Sequence, residues 1–481
     1  MPVMSYPGFL GPANKGQSYM ADSEGLRNWY LERNESASAP AEWAMLPCPG
    51  FQLFASVVQA PIRGMFQQLG RAFFVAGFAF RELFADGTTT QRGSVAADAH
   101  PVTINANGDA GDQLWLTSGG IGYNYDLSSD TLSPQGVSNT TVTMGAFLDA
   151  RFLYLDATTG TLYASAQYDG TTWDATMVAQ SESGDPWRTM VVTPDNLIRL
   201  FGETTGEVWA NQGTSPFPWS QIREACIPWG IAAPFAWSID TTVTWLGQNA
   251  HGRGTVLRAS GYDPQRISTH AIEQSIEDYG DISDATAWGY LETGHAHTMF
   301  TFPTADATWA VDGDNGLWHD RSYWDVSTGA FKAYRPGCMM EAFGKTLVGD
   351  RLTGNIYEMN STFGSDVDGS VIRRMRDAPR FSQGQRQVRV NSLELVMDKG
   401  QGLVSGQGSD PQMMLSVAKD GGKQFGNETW CSAGKIGEWE QRVRWTQVCG
   451  WARNVVPRFV ATDPVPWRIV DCIMSYSVGN S

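Results

Sequence analysis

The chain is short of charge: Asp, Glu, Lys and Arg make up 17% of its 481 residues, against about 25% in an ordinary soluble domain. The scarcer sign is the basic one, 34 residues against 50, for a formal charge of −16. A protein that holds nucleic acid by neutralising phosphate needs the opposite balance, so composition speaks against that class. An acidic wall that repels DNA and lets it slide past fits the same charge. Paired cysteines are missing too. The six thiols, at Cys48, Cys226, Cys338, Cys431, Cys449 and Cys472, are scattered with no CxxC pair, which speaks against a disulfide framework or a clustered zinc site and for reduced, structural thiols. No long apolar run is present. The most apolar stretch, Phe73 to Phe84, is too short for a membrane span and carries Arg81 and Glu82. The opening MPVMSYPGFLGP has neither the basic nor the apolar region of a signal peptide. Helical patterns are scarce as well. The one convincing helix is at Ser268 to Asp278, with a Ser/Thr cap and with Ile272 and Ile276 four apart.

What the chain does contain is 42% hydrophobic residues, 52 Gly, 19 Trp, 15 Tyr and 22 Phe. That is enough apolar mass for a real core, and the mixture favours many short strands joined by tight turns. From about residue 60 to 360 one phrase recurs. A β-branched and aromatic run meets a Gly/Asp turn, then a second strand, another turn, and often a Trp. Arg151 to Trp173 shows it best: RFLYLD and TLYASAQY alternate as strands, ATTG is the hairpin turn and DGTTW closes the unit. Similar units occupy Gln113 to Asp126, Leu197 to Asn211, Val243 to Ala259, Ala307 to Trp318 and Lys345 to Tyr357. Their spacing, roughly 40 to 50 residues, is that of a four-stranded propeller blade. One blade cannot bury both faces of its sheet. Stacking blades around an axis buries them, and closing the ring protects the edges.

The expected fold is therefore all-β: a β-propeller of six or seven blades over residues 56–370, then a smaller β-sandwich-like domain over 390–481. Residues 1–55 read as an irregular segment that packs on the propeller or lends it a closing strand. Residues 371–389 read as an arginine-rich connector, carrying Arg373, Arg374, Arg376, Arg380, Arg386 and Arg389.

Candidate chemistry is thin. His295 and His297, two apart in Gly294-His295-Ala296-His297, lie on one face of a strand as some metal sites do, but no further ligand cluster supports them and ordinary strand positions are the simpler reading. Asp169 to Trp173 and Ser416 to Phe425 resemble the Asp-box turn of sialidase-like propellers, where the carboxylate caps backbone amides and the aromatic packs below. Such boxes indicate a hairpin and not hydrolysis; a glycosidase needs paired carboxyls or a Tyr nucleophile in a cleft. Ser268, His270 and Asp278 are near in sequence, but a triad is a spatial object. No GxSxG, P-loop, HExxH or GxGxxG is present in its required context, so no catalytic, cofactor or metal set emerges. The strong charge feature is Ile372 to Arg380, IRRMRDAPR. Arg373, Arg374, Arg376 and Arg380 are the candidate contacts to an acidic partner surface, a neighbouring subunit or passing DNA; the alternative is a solvated connector balancing nearby carboxylates.

Taken in order, several stretches resemble the tail hub, or packaged-DNA-stabilisation, proteins of short-tailed phages. Asn28-Trp29-Tyr30-Leu31-Glu32 is followed by Leu46-Pro47-Cys48-Pro49-Gly50-Phe51 and Pro61-Ile62-Arg63-Gly64-Met65. Trp173-Asp174-Ala175, Phe201-Gly202 with Glu207 and Trp209, Arg266 to Glu273, Gly294-His295, Thr308-Trp309 and Trp318-His319-Asp320-Arg321 come next. RRMRDAP, Asp420-Gly421-Gly422, Arg442 to Trp445 and Asp463-Pro464-Val465 close the series. One departure is the uncharged Thr446 to Ala452, where the family is usually basic. The resemblance implies a virion part with no catalysis and no cofactor: a ring, usually sixfold, below the portal and head-tail adaptor. Such a ring continues the DNA channel, helps retain packaged DNA and gives tail fibres, spikes or a plug a place to attach, after assembly in the host cytoplasm. Six copies of this chain would surround a duplex with −96 formal charges, discouraging adhesion during ejection. The competing reading is a propeller that binds or cleaves host surface polysaccharide.

Overall fold

The computed structural model describes residues 2–36, 38–108 and 111–479. Among them the propeller has seven sheets around one axis. The inner strands, in order, are Ile62–Gln68, Thr103–Ala106, Met144–Leu148, Thr189–Val192, a split pair Gly230–Ile231 and Trp237–Ile239, Thr286–Glu292, and Pro336–Ala342. Each sheet steps outward through antiparallel hairpins. Alternation explains why: in Gln113–Ser118 and Ile121–Asp126 the register pairs Leu114 with Tyr125 and Leu116 with Tyr123. The turn between them is Gly119-Gly120, both at positive φ (+59° and +77°), the two-residue turn whose twist suits a hairpin.

Aromatic rings are the wedges. Phe73, Phe80 and Tyr125 meet between the first two blades, and Trp115, Tyr154 and Trp173 meet between the second and third, with Trp115 and Trp173 centroids 4.6 Å apart. The ring closes through the N-terminal segment. Gly50–Ser56 pairs with Asn355–Asn360 as the outermost strand of the seventh blade, while Ile62 and Phe74 of the first blade share a core with Met340, Leu347 and Ile356 of the seventh. The axis itself is bridged at one level, where the His100 and Phe235 rings stack from opposite blades at 6.0 Å.

The second domain differs from the expectation drawn for residues 390–481. One of its sheets runs Trp29–Arg33, Trp43–Pro47, Ile469–Val478, Val388–Met397 and Val443–Thr446, with Val3–Ser5 added at Ile469–Val478. The facing strands, Gly25–Arg27, Arg374–Asp377, Val456–Ala461, Gln412–Ala418 and Thr429–Ser432, continue directly from the sixth blade, because Arg27 pairs in parallel with Asp320. Met413, Leu415 and Phe459 from one sheet meet Leu393, Leu395 and Met474 from the other. The first 55 residues are thus not irregular. They supply strands to both domains, since the C-terminal stretch alone leaves sheet edges and apolar faces uncovered. Likewise 371–389 is not a mere connector but holds a strand in the middle of a sheet. All six cysteines are free, and among the described residues no helix is long and apolar enough to cross a membrane.

Candidate functional site at the propeller–sandwich junction

The arginine segment lies where the two domains are joined. Arg374–Asp377 is hydrogen-bonded on one side to Gly25–Arg27 and on the other to Val456–Ala461. Strand alternation puts Arg374 and Arg376 on one face, and that face points inward. Arg376 is fully buried. Its guanidinium donates to Phe9 O and Gly8 O at 2.8 Å, to Gly25 O and Pro12 O at 3.3 and 3.4 Å, and to Glu24 Oε2 at 2.7 Å. Arg374 is 2% exposed. Neither can touch a neighbouring subunit or DNA, which corrects the expectation that all four arginines are surface contacts. A run of like charge reads as solvated only while the strands that flank it are unknown. Arg373 and Arg380 keep partial access: Arg373 pairs with Glu428 at 2.8 Å and lies over the Trp324 ring, and Arg380 donates to Asn454 Oδ1 at 2.6 Å.

Asn28 fastens the junction. It sits in the left-handed region at φ 55°, which Asn tolerates better than most residues. Its amide donates to Ser322 O at 2.8 Å and Arg373 O at 3.0 Å and accepts from Ser322 N at 2.9 Å. One residue thereby ties the N-terminal segment to the propeller and to the arginine strand.

Beneath it lies a buried polar cluster. His295 bonds Asp312 at 2.7 Å, and Asp312 also accepts from Asn315, whose amide reaches Leu31 O at 2.8 Å. His297 is 1% exposed, ringed by Tyr30, Tyr290, His295 and His319, and neither of its ring nitrogens has a partner. Arg321, fully buried, donates to His319 Nε2 at 3.0 Å and Tyr290 Oη at 2.7 Å. Cys48, Glu292, Tyr334, Asp366 and Arg374 complete the group. Burial pushes the Cys48 thiol up to about 12, so it stays protonated at neutral pH, and the Asp366 carboxyl up to about 7. Among the described residues no three His, Cys, Asp or Glu side chains gather as a metal would require. Sequence reasoning missed His319, Arg321 and Asn28 as one group with Arg374; nothing in their spacing, across nearly 350 positions, announces it.

Burial, then the nearby Arg321 charge, holds His297 and His319 well below the ordinary histidine value of 6.5. A group whose folded pKa is depressed gives stability that is whole above the unfolded value and is lost as pH falls below it. Asp366 and Glu292, both raised chiefly by burial, run the opposite way and weaken the fold as pH rises above about 4, in the case of Asp366 up to about 7. The histidine contribution is isolated by comparing wild type with His297→Phe, which breaks no hydrogen bond. In urea unfolding the gap between the two is expected to be constant above pH ~7. It should then move in favour of the variant by about 1.4 kcal/mol per unit between pH ~6.5 and 5. A gap that ignores pH would refute the neutral buried imidazole.

The remaining sequence candidates resolve into structure. Asp169 accepts from Thr171 N at 2.8 Å while Trp173 Nε1 donates to Gly170 O at 2.8 Å, and Asp420 caps Lys423 N and Gln424 N; both are turn-forming carboxylates. The helix is His270–Asp278, capped by Thr269, with Ile272 and Ile276 buried. Ser268 bonds Glu273, His270 meets Arg266 and Asp278 accepts from Gln274, so the three do not converge. An open cleft of about 820 Å³ between the helix, the sixth blade and the sandwich is rich in carboxylates, but they are engaged. Asp320 pairs with Arg27, Asp377 with Arg458, Glu24 with Arg376 and Asp306 with Lys332, at 2.5 to 2.9 Å.

Two family models match the chain, and their boundary falls at this junction. The model described as bacteriophage P22 Gp10, beta-propeller, covers residues 27–364, and that described as bacteriophage P22 Gp10, beta-sandwich, covers 373–476. The chain belongs to the bacteriophage P22 Gp10 family. This Gp10-family chain is accordingly a structural protein of a phage tail, a β-propeller followed by a β-sandwich. No individually curated protein matches it. Among solved structures, virginiamycin B lyase from Staphylococcus aureus aligns at 9% identity and TM-score 0.44, over 65% of this chain and 99% of the lyase. The WD40 propeller domain of Doa1 aligns at 12% identity and TM-score 0.41, over 64% and 96% of the two chains. At these scores the likenesses carry nothing about chemistry.

Proposed function

We propose that this Gp10-family chain is the hub, or nozzle, of a short tail. Copies of it form a ring below the portal and its adaptor, usually sixfold in arrangement, that continues the DNA channel, helps retain the packaged genome and anchors fibres, spikes or a plug. The observation that carries the reading is the match of both family models to one chain whose two domains share a continuous sheet. A propeller joined to a sandwich in this way is a rigid block with loop-bearing faces, suited to several partners at once. The stacked His100 and Phe235 rings block the propeller's own axis, so in this reading the duplex runs between copies. The formal charge of −16 per chain then acts as a low-friction wall. Arg373 and Arg380, the two candidate arginines with some access, are the ones left for subunit or adaptor contacts.

Electron microscopy of virions tests the placement: a ring of density directly under the portal adaptor, into which this fold fits, is expected. Particles made without the protein should package DNA and then lose it. Location at a fibre tip, or heads that stay full without the protein, would overturn the respective part of the proposal.

A further inference from the structure

Charge is divided unevenly along the chain. Residues 373–481 carry 15 basic and 10 acidic side chains, whereas residues 1–372 carry 19 and 40. In the sandwich the basic excess gathers at one loop end. Val388 and Ala452 exchange backbone hydrogen bonds at 2.7 and 2.9 Å, which brings Arg386, Arg389 and Arg453 to one place. Arg380 joins them through Asn454, whose Oδ1 accepts from it at 2.6 Å, and Lys419 Nζ lies 4.0 Å from where a Cβ on Gly450 would stand. Arg386, Arg389, Lys419 and Arg453 are exposed, and among the described residues none of the five cations forms an ion pair. Asp420, next to Lys419, is turned to the amides of Lys423 and Gln424. Trp451, 48% exposed, stands by Gly479 and Gln387 at the same end.

The acidic counterpart lies across the propeller. Between Arg92 and Arg188 the sequence has eleven carboxylates and one cation, Arg151. This stretch holds the second and third blades, Thr103–Gln135 and Met144–Gln180. The sandwich continues from the sixth blade, and in a ring of seven the second and third are the farthest from it. Asp112, Asp126, Asp149 and Asp169 meet there on one face. Asp126 pairs in register with Gln113, Gln113 Oε1 accepts from Gly170 N at 2.8 Å, and Tyr168 N donates to Ala150 O at 2.5 Å. Asp112 and Asp149 are exposed, and Tyr168 is 62% exposed. The neighbouring cations are engaged, Arg71 by Glu82 and Asp130, and Arg151 by Ser165 O.

We infer that the basic end of the sandwich docks on a second copy of this chain, against the aspartate and Tyr168 face of that copy's second and third blades. Opposite charges at opposite poles make the contact heterologous, so its repetition closes a ring or runs on as a filament. The inference rests on the ring proposed above for that closure. Arg, Trp and Tyr, which supply the exposed bulk of the two faces, are enriched at protein interfaces. Duplex DNA also offers negative charge, but its approach is opposed by the acidic propeller of the same chain.

Two charge reversals in the full chain test it, Arg386→Glu with Arg389→Glu at the basic end and Asp112→Lys with Tyr168→Lys at the acidic face. In analytical ultracentrifugation wild type should self-associate, roughly tenfold more weakly in ~0.5 M than in ~0.05 M salt. Each variant alone should lose association by roughly tenfold or more, and an equimolar mixture of the two should regain it, because like charges then no longer face each other. Zero-length carbodiimide coupling between isotopically light and heavy wild-type copies should join Lys419 to Asp112 or its neighbours, in solution or in virions, and needs no variant. Three results would overturn the inference: no recovery on mixing, inter-copy links confined to other surfaces, or binding of a duplex fragment that the basic-end reversal abolishes while self-association persists. Links at these positions without a ring under the portal would remove the hub reading and keep this contact. A ring whose copies are linked elsewhere would do the reverse.

Discussion

Arg376→Ala is expected to lower the free energy of unfolding by about 3–5 kcal/mol, the loss seen when one partner of a buried ion pair is removed. The substitution strips Glu24 of its cation and leaves the carbonyls of Gly8, Phe9, Pro12 and Gly25 without their shared donor. Lysine should recover only part of the loss, since a single ammonium cannot reproduce a planar fork that serves several acceptors. Arg373→Ala, whose pair with Glu428 is partly open to solvent, should cost about 1 kcal/mol or less. Denaturant unfolding followed by tryptophan fluorescence measures both, and limited proteolysis should find residues 8–25 cut first in the Arg376 variant. Equal losses at the two positions would contradict the burial described. The same contrast decides how assembly is to be probed. A combined change at Arg373, Arg374 and Arg376 would damage the fold before it reported on any partner, whereas Arg373→Ala with Arg380→Ala leaves the interior intact.

A chain that begins at residue 57 should fail to give a soluble, monodisperse protein. It loses the outermost strand of the seventh blade, exposing the Asn355–Asn360 edge, and unpaired edges invite aggregation. It also loses Leu26, Trp29, Leu31 and Met45 from the largest core and four strands from the sandwich sheets. Gel filtration and near-ultraviolet circular dichroism should show aggregates without fixed aromatic packing, and supplying residues 1–56 in trans should restore part of the native signal. Removing only residues 1–5 takes away an exposed edge strand and should change the melting temperature little. A well-behaved monomer from the longer truncation would show that ring closure does not depend on the N-terminal strand.

The propeller was legible because its instructions are local. Arg151 to Trp173 carries strand, turn, strand and a closing aromatic within a single blade, and the observed strands Arg151–Asp156 and Thr161–Gln167 follow that pattern. Pairing partners a few residues apart are set by alternation and by turn residues such as Gly119-Gly120. The sandwich was only half legible. Its strand at Val388–Met397 shows apolar alternation, and those at Gln412–Ala418 and Val456–Ala461 are short apolar runs. Their neighbours Gly25–Arg27 and Trp29–Arg33 come from the far end of the chain, and no local signal couples segments that distant. The arginine run shows the cost most clearly. Arg374 and Arg376, two apart, already satisfy strand periodicity, and that spacing was the available hint of a shared face. Whether the face looked outward depended on Gly25–Arg27 and Val456–Ala461 arriving on either side.

By itself, then, the sequence determined the all-β class, the repeat of small sheets, the aromatic wedges between them and the family, since each rests on short-range pattern or on the order of motifs. Tertiary structure alone decided the blade number, the closing strand, the shared sheet and the burial of the cationic and histidine groups at the junction. Those features arise where segments hundreds of residues apart are packed together, and the free energy of a buried charge depends on what surrounds it in space.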